Sequence, residues 1–250
     1  MSEVQILRVH GELACFTRPE LKVERFSYPV ITPSAARGIF DAIYCKPDEF
    51  RWQVTRVEVL KPVRYIALRR NEVKEKTPSP QTILRWAEGK QKVAPIIADD
   101  TSKEADKRGK GRTQRQTMAL KDVCYYLHAQ ILPWPGFEEG LPAMEAQFHR
   151  RASQGKCIYQ PYFGCREFPA YFELVEPGTP LEPPLEKINL DIGFMLYDVF
   201  DLSEPGRVLD TERKELPFIS LFRARVVNGV LNIPPYGSDE VLKGRRHSYA

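Results

Sequence analysis

The chain has 250 residues, 42% of them apolar, enough to bury one large core or a core with a small appended domain. Its 37 Lys and Arg against 33 Asp and Glu leave a formal net charge of +4, and no stretch approaches the roughly eighteen consecutive apolar residues of a membrane-spanning helix. Met1-Ser2-Glu3-Val4 opens on a strand pattern and not on a signal peptide, so a cytoplasmic protein without membrane association is expected. Cys15, Cys45, Cys124, Cys157 and Cys165 form no C-x-x-C pair, which argues against a disulfide framework or a zinc site and leaves reduced thiols as the expectation.

In chain order, Val4 to Leu13 reads as a first strand. Thr32 then stands as an N-cap and Pro33 as the first residue of a helix, with Ala36, Ile39, Phe40 and Ile43 on one apolar face and Lys46-Pro47 as the stop. Gly38 inside that helix costs about 1 kcal/mol against alanine and points to close packing or to the approach of a ligand. Arg51 to Arg70 is rich in β-branched and aromatic residues and reads as a long strand or as two broken at Lys61-Pro62.

Residues 71–116 lose the periodicity and read as an insertion, with at most a short helix around Ile83 to Glu88. Strict alternation returns at Val123, Tyr125, Leu127, Ala129 and Ile131, which predicts a strand with these side chains in the core and Cys124, Tyr126, His128 and Gln130 on a wet or ligand-bound face. A second helix is expected from about Pro142, burying Leu141, Met144, Phe148 and Ala152 and closed by Gly155. Tyr162 to Val175 reads as another strand.

The order strand, helix, strand, strand, helix, strand is that of a ferredoxin-like or RRM-like α+β domain, here residues 1–176 with the basic insertion. Pro177 to Pro184 reads as a linker. Beyond it, residues 185–250 read as a small antiparallel β domain, with strands in Asp191–Leu202 and Pro217–Ile233 and a hairpin turn at Asn228-Gly229.

Lys107, Arg108, Lys110, Arg112 and Arg115 fall within nine residues that contain no acid. The run is either a solvated loop or a mobile arm for phosphates, and basic pairs at Arg69-Arg70, Arg150-Arg151 and Arg245-Arg246 add weight to the second reading.

Several segments together resemble one family. They are Cys15-Phe16-Thr17-Arg18-Pro19-Glu20, Ser27-Tyr28-Pro29-Val30 with Pro33 to Ile39, Ala42-Ile43-Tyr44-Cys45-Lys46-Pro47, Arg69 to Val73, Gln114-Arg115-Gln116, Leu120 to Val123, and Gly164-Cys165-Arg166-Glu167-Phe168-Pro169-Ala170. In order and spacing, from about residue 4 to 175, they are similar to the Cas-five proteins of type I-C CRISPR systems. The resemblance implies metal-independent cutting of the CRISPR repeat in the precursor guide RNA. It also implies retention on the 5′ handle inside a surveillance complex with a repeated backbone subunit and a large subunit.

Metal-free cleavage uses the ribose 2′-hydroxyl as nucleophile, so the protein must supply a proton acceptor, a proton donor and positive charge near the phosphorane. No cofactor or metal is called for. Tyr44 matches the family tyrosine of Ile-Tyr-x-Lys-Pro and is the first catalytic candidate on that ground; read from the residues alone it is a boundary aromatic packed on Phe40 before it is a catalytic group. The family's Lys-His pair ahead of the second helix is missing, because Ala143-Met144 occupy its place. His149 is the nearest substitute and the second catalytic candidate, or else a solvated surface histidine.

RNA contacts are expected from Lys46, Lys121, Arg150, Arg151 and the basic arm. Tyr126 and His128 are candidates to stack a base and engage a phosphate, or else are covered. The turn at Gly164 to Arg166 pairs a close backbone approach with a guanidinium fork. A non-catalytic guide-RNA subunit and a general binder of nucleic acid, duplex DNA included, remain as alternatives.

Overall fold

The computed structural model describes residues 2–21, 23–97, 111–205 and 218–244. Lys107, Arg108, Lys110, Arg245 and Arg246 lie outside the described residues. The chain forms two compact units, residues 1–66 with 118–250, and residues 67–117.

The first unit is an antiparallel sheet with two helices, an α+β architecture. Its strands are β1 (Gln5–Ala14), β2 (Arg25–Phe26), β3 (Phe50–Val59), the C-terminal part of β5 (Arg112–Pro133), β6 (Tyr171–Leu174), β7 (Leu190–Asp198), β8 (Ser220–Val227), β9 (Val230–Asn232) and β10 (Val241–Lys243). They run in the order β10-β8-β9-β3-β5-β1-β6, with β7 on β8 and β2 on β5. β1 pairs with β5 from Gln5↔Ala129 to Ala14↔Leu120, and with β6 on its other edge. The second unit holds most of β4 (Tyr65–Val73), the helix α2 (Pro80–Ala87) and the start of β5, with β4 paired to β5.

Helix α1 (Pro33–Ile43) starts where the sequence places it: the Thr32 side chain accepts from the Ala35 N–H at 3.2 Å, and Pro33 supplies a first residue that needs no partner. It buries Ala36, Ile39, Phe40 and Ile43. Gly38 is not demanded by packing, since a Cβ there would meet nothing within 4 Å. Helix α3 (Leu141–Ser153) buries Met144, Phe148 and Ala152, leaves Leu141 half-buried, and ends at Gly155 with φ +64°.

Phe148 meets Trp52 and Phe40 at ring separations of 4.7 and 5.7 Å, and Phe40 meets Trp52 at 4.9 Å. This aromatic cluster fastens both helices to one face of the sheet, each ring contributing about 1.5–3 kcal/mol through burial.

Three stretches differ from the sequence expectation. Strand β5 begins at Arg112, inside the segment read as irregular, because its early residues find a partner in β4. The strand expected over Tyr162–Val175 contracts to Tyr171–Leu174, since Phe163 and Phe168 bond to each other across a turn containing Gly164 at φ +79°. β7 stops at Asp198 because its carboxylate takes the next two N–H groups, Val199 at 2.8 Å and Phe200 at 3.0 Å. The Asn228-Gly229 turn joins β8 to β9 with both residues at positive φ, 50° and 78°, as a two-residue hairpin requires.

Candidate functional site

The C-terminal end of α1 gathers the first set of candidate groups. Tyr44 is its C-cap, in extended backbone that turns the chain out of the helix. Its N–H donates to the Phe40 carbonyl at 2.9 Å and its carbonyl accepts from Trp52 Nε1 at 2.9 Å. The ring lies 5.2 Å from that of Phe50, not on Phe40, which is occupied by Trp52 and Phe148. The side chain is thus held from the backbone and from one ring face while 8% of the residue stays exposed. Burial raises the phenol above its ordinary value, while the charges of Lys46 and Arg151 pull it down. A phenol in that balance stays protonated at neutral pH and sits beside two cations.

Arg151 reaches this point because α3 crosses the end of α1: its Nε donates to the Ile43 carbonyl, one of the unpaired carbonyls of the last helical turn. Lys46 follows two residues after Tyr44, with Nζ on both Glu49 oxygens at 2.8 and 2.9 Å. Tyr44, Lys46 and Arg151 are therefore brought together. The segment after α3 joins them, with the Ile158 N–H on the Ala42 carbonyl at 2.6 Å. Sequence reasoning passed over Ile158 and Tyr159. The available signal was an apolar-aromatic pair placed just after the helix-stopping Gly155.

His149 is not part of this group. It lies two positions before Arg151, about 200° around the helix, and its Nε2 is 2.8 Å from Glu176 Oε2. Arg150 is exposed beside Gln147. Ala143 and Met144 stand in the first turn of α3 and not ahead of it, with Met144 buried.

Tyr126 and His128 do not form a wet face. Tyr126 is buried with Leu60 and Cys124, covered by Ile6, Val175 and Leu181, so the segment read as a linker in fact roofs this side of the sheet. His128 is buried too, with Nε2 3.0 Å from Glu58 Oε1, while Arg56 Nη2 holds the same oxygen at 3.0 Å. The alternation of β5 predicts a wet or ligand-bound face because polar residues occupy it. Tyr and His are amphipathic enough to be covered once another segment crosses them.

Burial pushes the His128 imidazole below its ordinary value, against the opposite pull of Glu58. The unfolded chain therefore binds more protons near pH 6, and stability is lost as pH falls through the imidazole range. Urea midpoints at pH 7 and pH 5 are expected to differ more for the wild type than for His128→Gln; equal differences would mean that His128 does not carry this dependence.

Lys121 is exposed, next to Asp122, whose carboxylate is 2.6 Å from Lys61 Nζ. Arg112 and Arg115 are on β5 in the second unit, Arg115 Nε lying 3.9 Å from Glu72. Gly164 and Arg166 are exposed, while Cys165 between them is buried. The glycine is required by close packing, since a Cβ there would run into the Cys15 carbonyl, and its positive φ disfavours other residues. Gly164 also borders a cleft of about 260 Å³ with Phe16, Thr17, Thr32, Ser34 and Gly38 at the start of α1.

A further group, not foreseen from the sequence, lies on the outer turn of α1. Arg37 donates to Asp198 through Nε at 2.8 Å and Nη2 at 3.1 Å, and to Asp41 through Nη1 at 2.5 Å. Cys45, beside Asp41, is pushed up to about 11 by burial and by that carboxylate, so it stays a thiol. Among the described residues, no group of three or more His, Cys, Asp or Glu side chains is placed to hold a metal ion. None of their helices is long and apolar enough to cross a membrane.

These features describe an α+β protein built on a large antiparallel sheet, with a phenol and two cations at the end of its first helix. The chain belongs to the family described as CRISPR-associated protein (Cas_Cas5), whose profile matches residues 6–234. It is 40% identical over 247 residues to a CRISPR pre-crRNA endoribonuclease Cas5d of Mannheimia succiniciproducens, covering 95% of this chain and 97% of that one. It is 38% identical over 246 residues to a protein of the same name from Thermus thermophilus, covering 95% and 94%. The fold is shared with a solved structure titled as a CRISPR-associated protein, with a TM-score of 0.58 at 20% identity over 96% of this chain and 97% of that one.

Proposed function

We propose that this chain is a metal-independent endoribonuclease that cuts the repeat of a CRISPR precursor transcript and stays on the 5′ handle of the resulting guide. The observation that carries the reading is the fixed Tyr44 with Lys46 and Arg151 beside it, in a chain whose near-full-length relatives are named as pre-crRNA endoribonucleases. The strand order β6-β1-β5-β3 with α1 and α3 on one face supports the ferredoxin-like, RRM-like description.

In this reading a water molecule takes the proton of the 2′-hydroxyl as that oxygen attacks the adjacent phosphorus. The bond from phosphorus to the 5′-oxygen breaks, and that oxygen takes a proton from the Tyr44 phenol. The products are a 2′,3′-cyclic phosphate and a 5′-hydroxyl. Lys46 and Arg151 offset the charge that builds on the phosphorane oxygens. No step is routed through a metal. His149, paired with Glu176, is the second candidate for proton transfer, and its alanine variant is to be compared with that of Tyr44.

Lys121, Arg150 and the Gly164 to Arg166 turn supply RNA contacts of the first unit and Arg112 and Arg115 those of the second, and the basic run that begins at Lys107 is a further candidate to bind RNA or duplex DNA. The protein works in the cytoplasm with a repeated backbone subunit and a large subunit. Ala143-Met144 at the place of the family's Lys-His pair favours a second reading, a guide-RNA subunit that binds without cutting. Incubation of the purified protein with labelled cognate repeat in excess EDTA separates the two. The nuclease leaves a 2′,3′-cyclic end, whereas repeat-selective binding with intact RNA sinks the catalytic reading.

A further inference from the structure

After Gly155 ends α3, the chain is tied down at three points. The Lys156 N–H donates to the Arg151 carbonyl at 2.9 Å, the Ile158 N–H to the Ala42 carbonyl at 2.6 Å, and Gln160 Nε2 to the Ala170 carbonyl at 2.9 Å. Between these ties stand Ile158 and Tyr159, 58% and 47% exposed. An apolar pair on free chain would fold away or move; here the backbone is fixed and both side chains face water. Among the described residues the Tyr159 ring stacks on no other aromatic ring.

The place is specific. Ala42 lies two residues before Tyr44, so the pair is anchored to the last turn of the helix that presents the candidate catalytic phenol. Arg151 binds Ile43, between those two positions, and Lys156 follows it in the same segment. An exposed aromatic face bordered by cations is the surface on which single-stranded nucleic acids stack their bases while phosphates meet the cations. A protein partner would equally cover apolar surface, but Arg151, bound to the Ile43 carbonyl next to the Ala42 carbonyl that holds Ile158, and Lys156 in the same segment favour a polyanion with a planar group. Burial and the nearby Asp41 raise the Tyr159 phenol, which keeps it neutral beside that polyanion.

We propose that Tyr159, flanked by Ile158, is a stacking site for one unpaired nucleobase of the repeat next to the scissile phosphate. The inference rests on the repeat-RNA reading of Tyr44. Holding that base fixes the nucleotide whose 2′-hydroxyl or 5′-oxygen reacts, so the site acts on substrate placement rather than on proton transfer.

The test uses the full chain and a repeat RNA carrying a 2′-deoxy substitution at the cut, so that binding is read without cleavage, together with a set of the same RNA made abasic one position at a time. For the wild type, one abasic position next to the cut weakens binding by about tenfold or more. Tyr159→Ala weakens binding of the unmodified repeat by a like factor and removes the sensitivity to that abasic position. Tyr159→Phe and Tyr159→Trp restore both, and unfolding midpoints stay matched because the side chain is exposed. Equal affinity of Tyr159→Ala and wild type, or an abasic response unchanged by the substitution, overturns the stacking site while leaving the nuclease reading standing. Failure of the wild type to select the repeat overturns both.

Discussion

Tyr44→Phe is expected to slow cleavage of the cognate repeat by at least about 10²-fold, within the usual span of general acid–base catalysis, while repeat affinity and unfolding midpoint stay at the wild-type level. The substitution removes one oxygen from a ring whose position is set by other things: the Trp52 bond to the Tyr44 carbonyl, the cap bond to Phe40 and the contact with Phe50. Geometry therefore survives and only the proton is lost. Single-turnover cleavage in EDTA is the measurement. A Phe variant that cuts at the wild-type rate would remove Tyr44 from the chemistry, and a rate loss confined to His149→Ala would move it to the other face of α3.

Arg37→Met is expected to destabilise the protein by about 3–5 kcal/mol, and Asp198→Asn by clearly less. Arg37 keeps 16% of its side chain exposed and answers two carboxylates, Asp198 and Asp41, whose pull raises the guanidinium above its ordinary value although burial alone lowers it. Removing the cation leaves the buried Asp198 carboxylate and the partly buried Asp41 carboxylate without the charge between them. Losing the charge of Asp198 still leaves Arg37 with Asp41.

Burial already raises the Asp41 carboxyl, so in Arg37→Met at least one carboxyl must protonate at higher pH than it does in the unfolded chain. A group with a raised folded-state value binds its proton more tightly when folded. The deficit of Arg37→Met therefore shrinks as pH falls toward the carboxylate range and grows as pH rises. Urea denaturation at pH 7 and pH 5 reads both effects. Equal loss in the two single variants, or a deficit independent of pH, would show that the pair of carboxylates is not the cause.

Local signals were enough for the pieces that depend on neighbours in sequence. Thr32-Pro33 marked the start of α1, Gly155 the end of α3, and Asn228-Gly229 the hairpin, because caps and turns are satisfied within a few residues. Tyr44 comes from the resemblance and not from periodicity, which by itself favours a boundary aromatic. What was not legible depends on distant segments meeting. Arg37 and Asp198 are 161 residues apart, and Arg151 and Ile43 are 108 apart. No spacing rule pairs them. The coverage of Tyr126 is hidden for the same reason, since Ile6, Val175 and Leu181 supply it. Tyr159 shows the converse: its exposure is a fact of the tied backbone around it, which composition cannot convey.

Strand β3 lies between β5 and β9, meeting β9 at Arg56↔Asn232, Val57↔Leu231 and Glu58↔Val230, and Gly229 N–H and carbonyl bind Ile188 and Val59 beside it. During synthesis on the ribosome, that edge of β3 has no partner until almost the whole chain has emerged. A row of open N–H and C=O groups next to Val57 and Val59 is a template for pairing with another chain. The late arrival of β9 thus sets a waiting period in which the nascent protein is prone to aggregate, and such long-range closure is slow. Production of this protein is governed in part by how a three-residue strand near its C-terminus reaches a site laid down at its beginning.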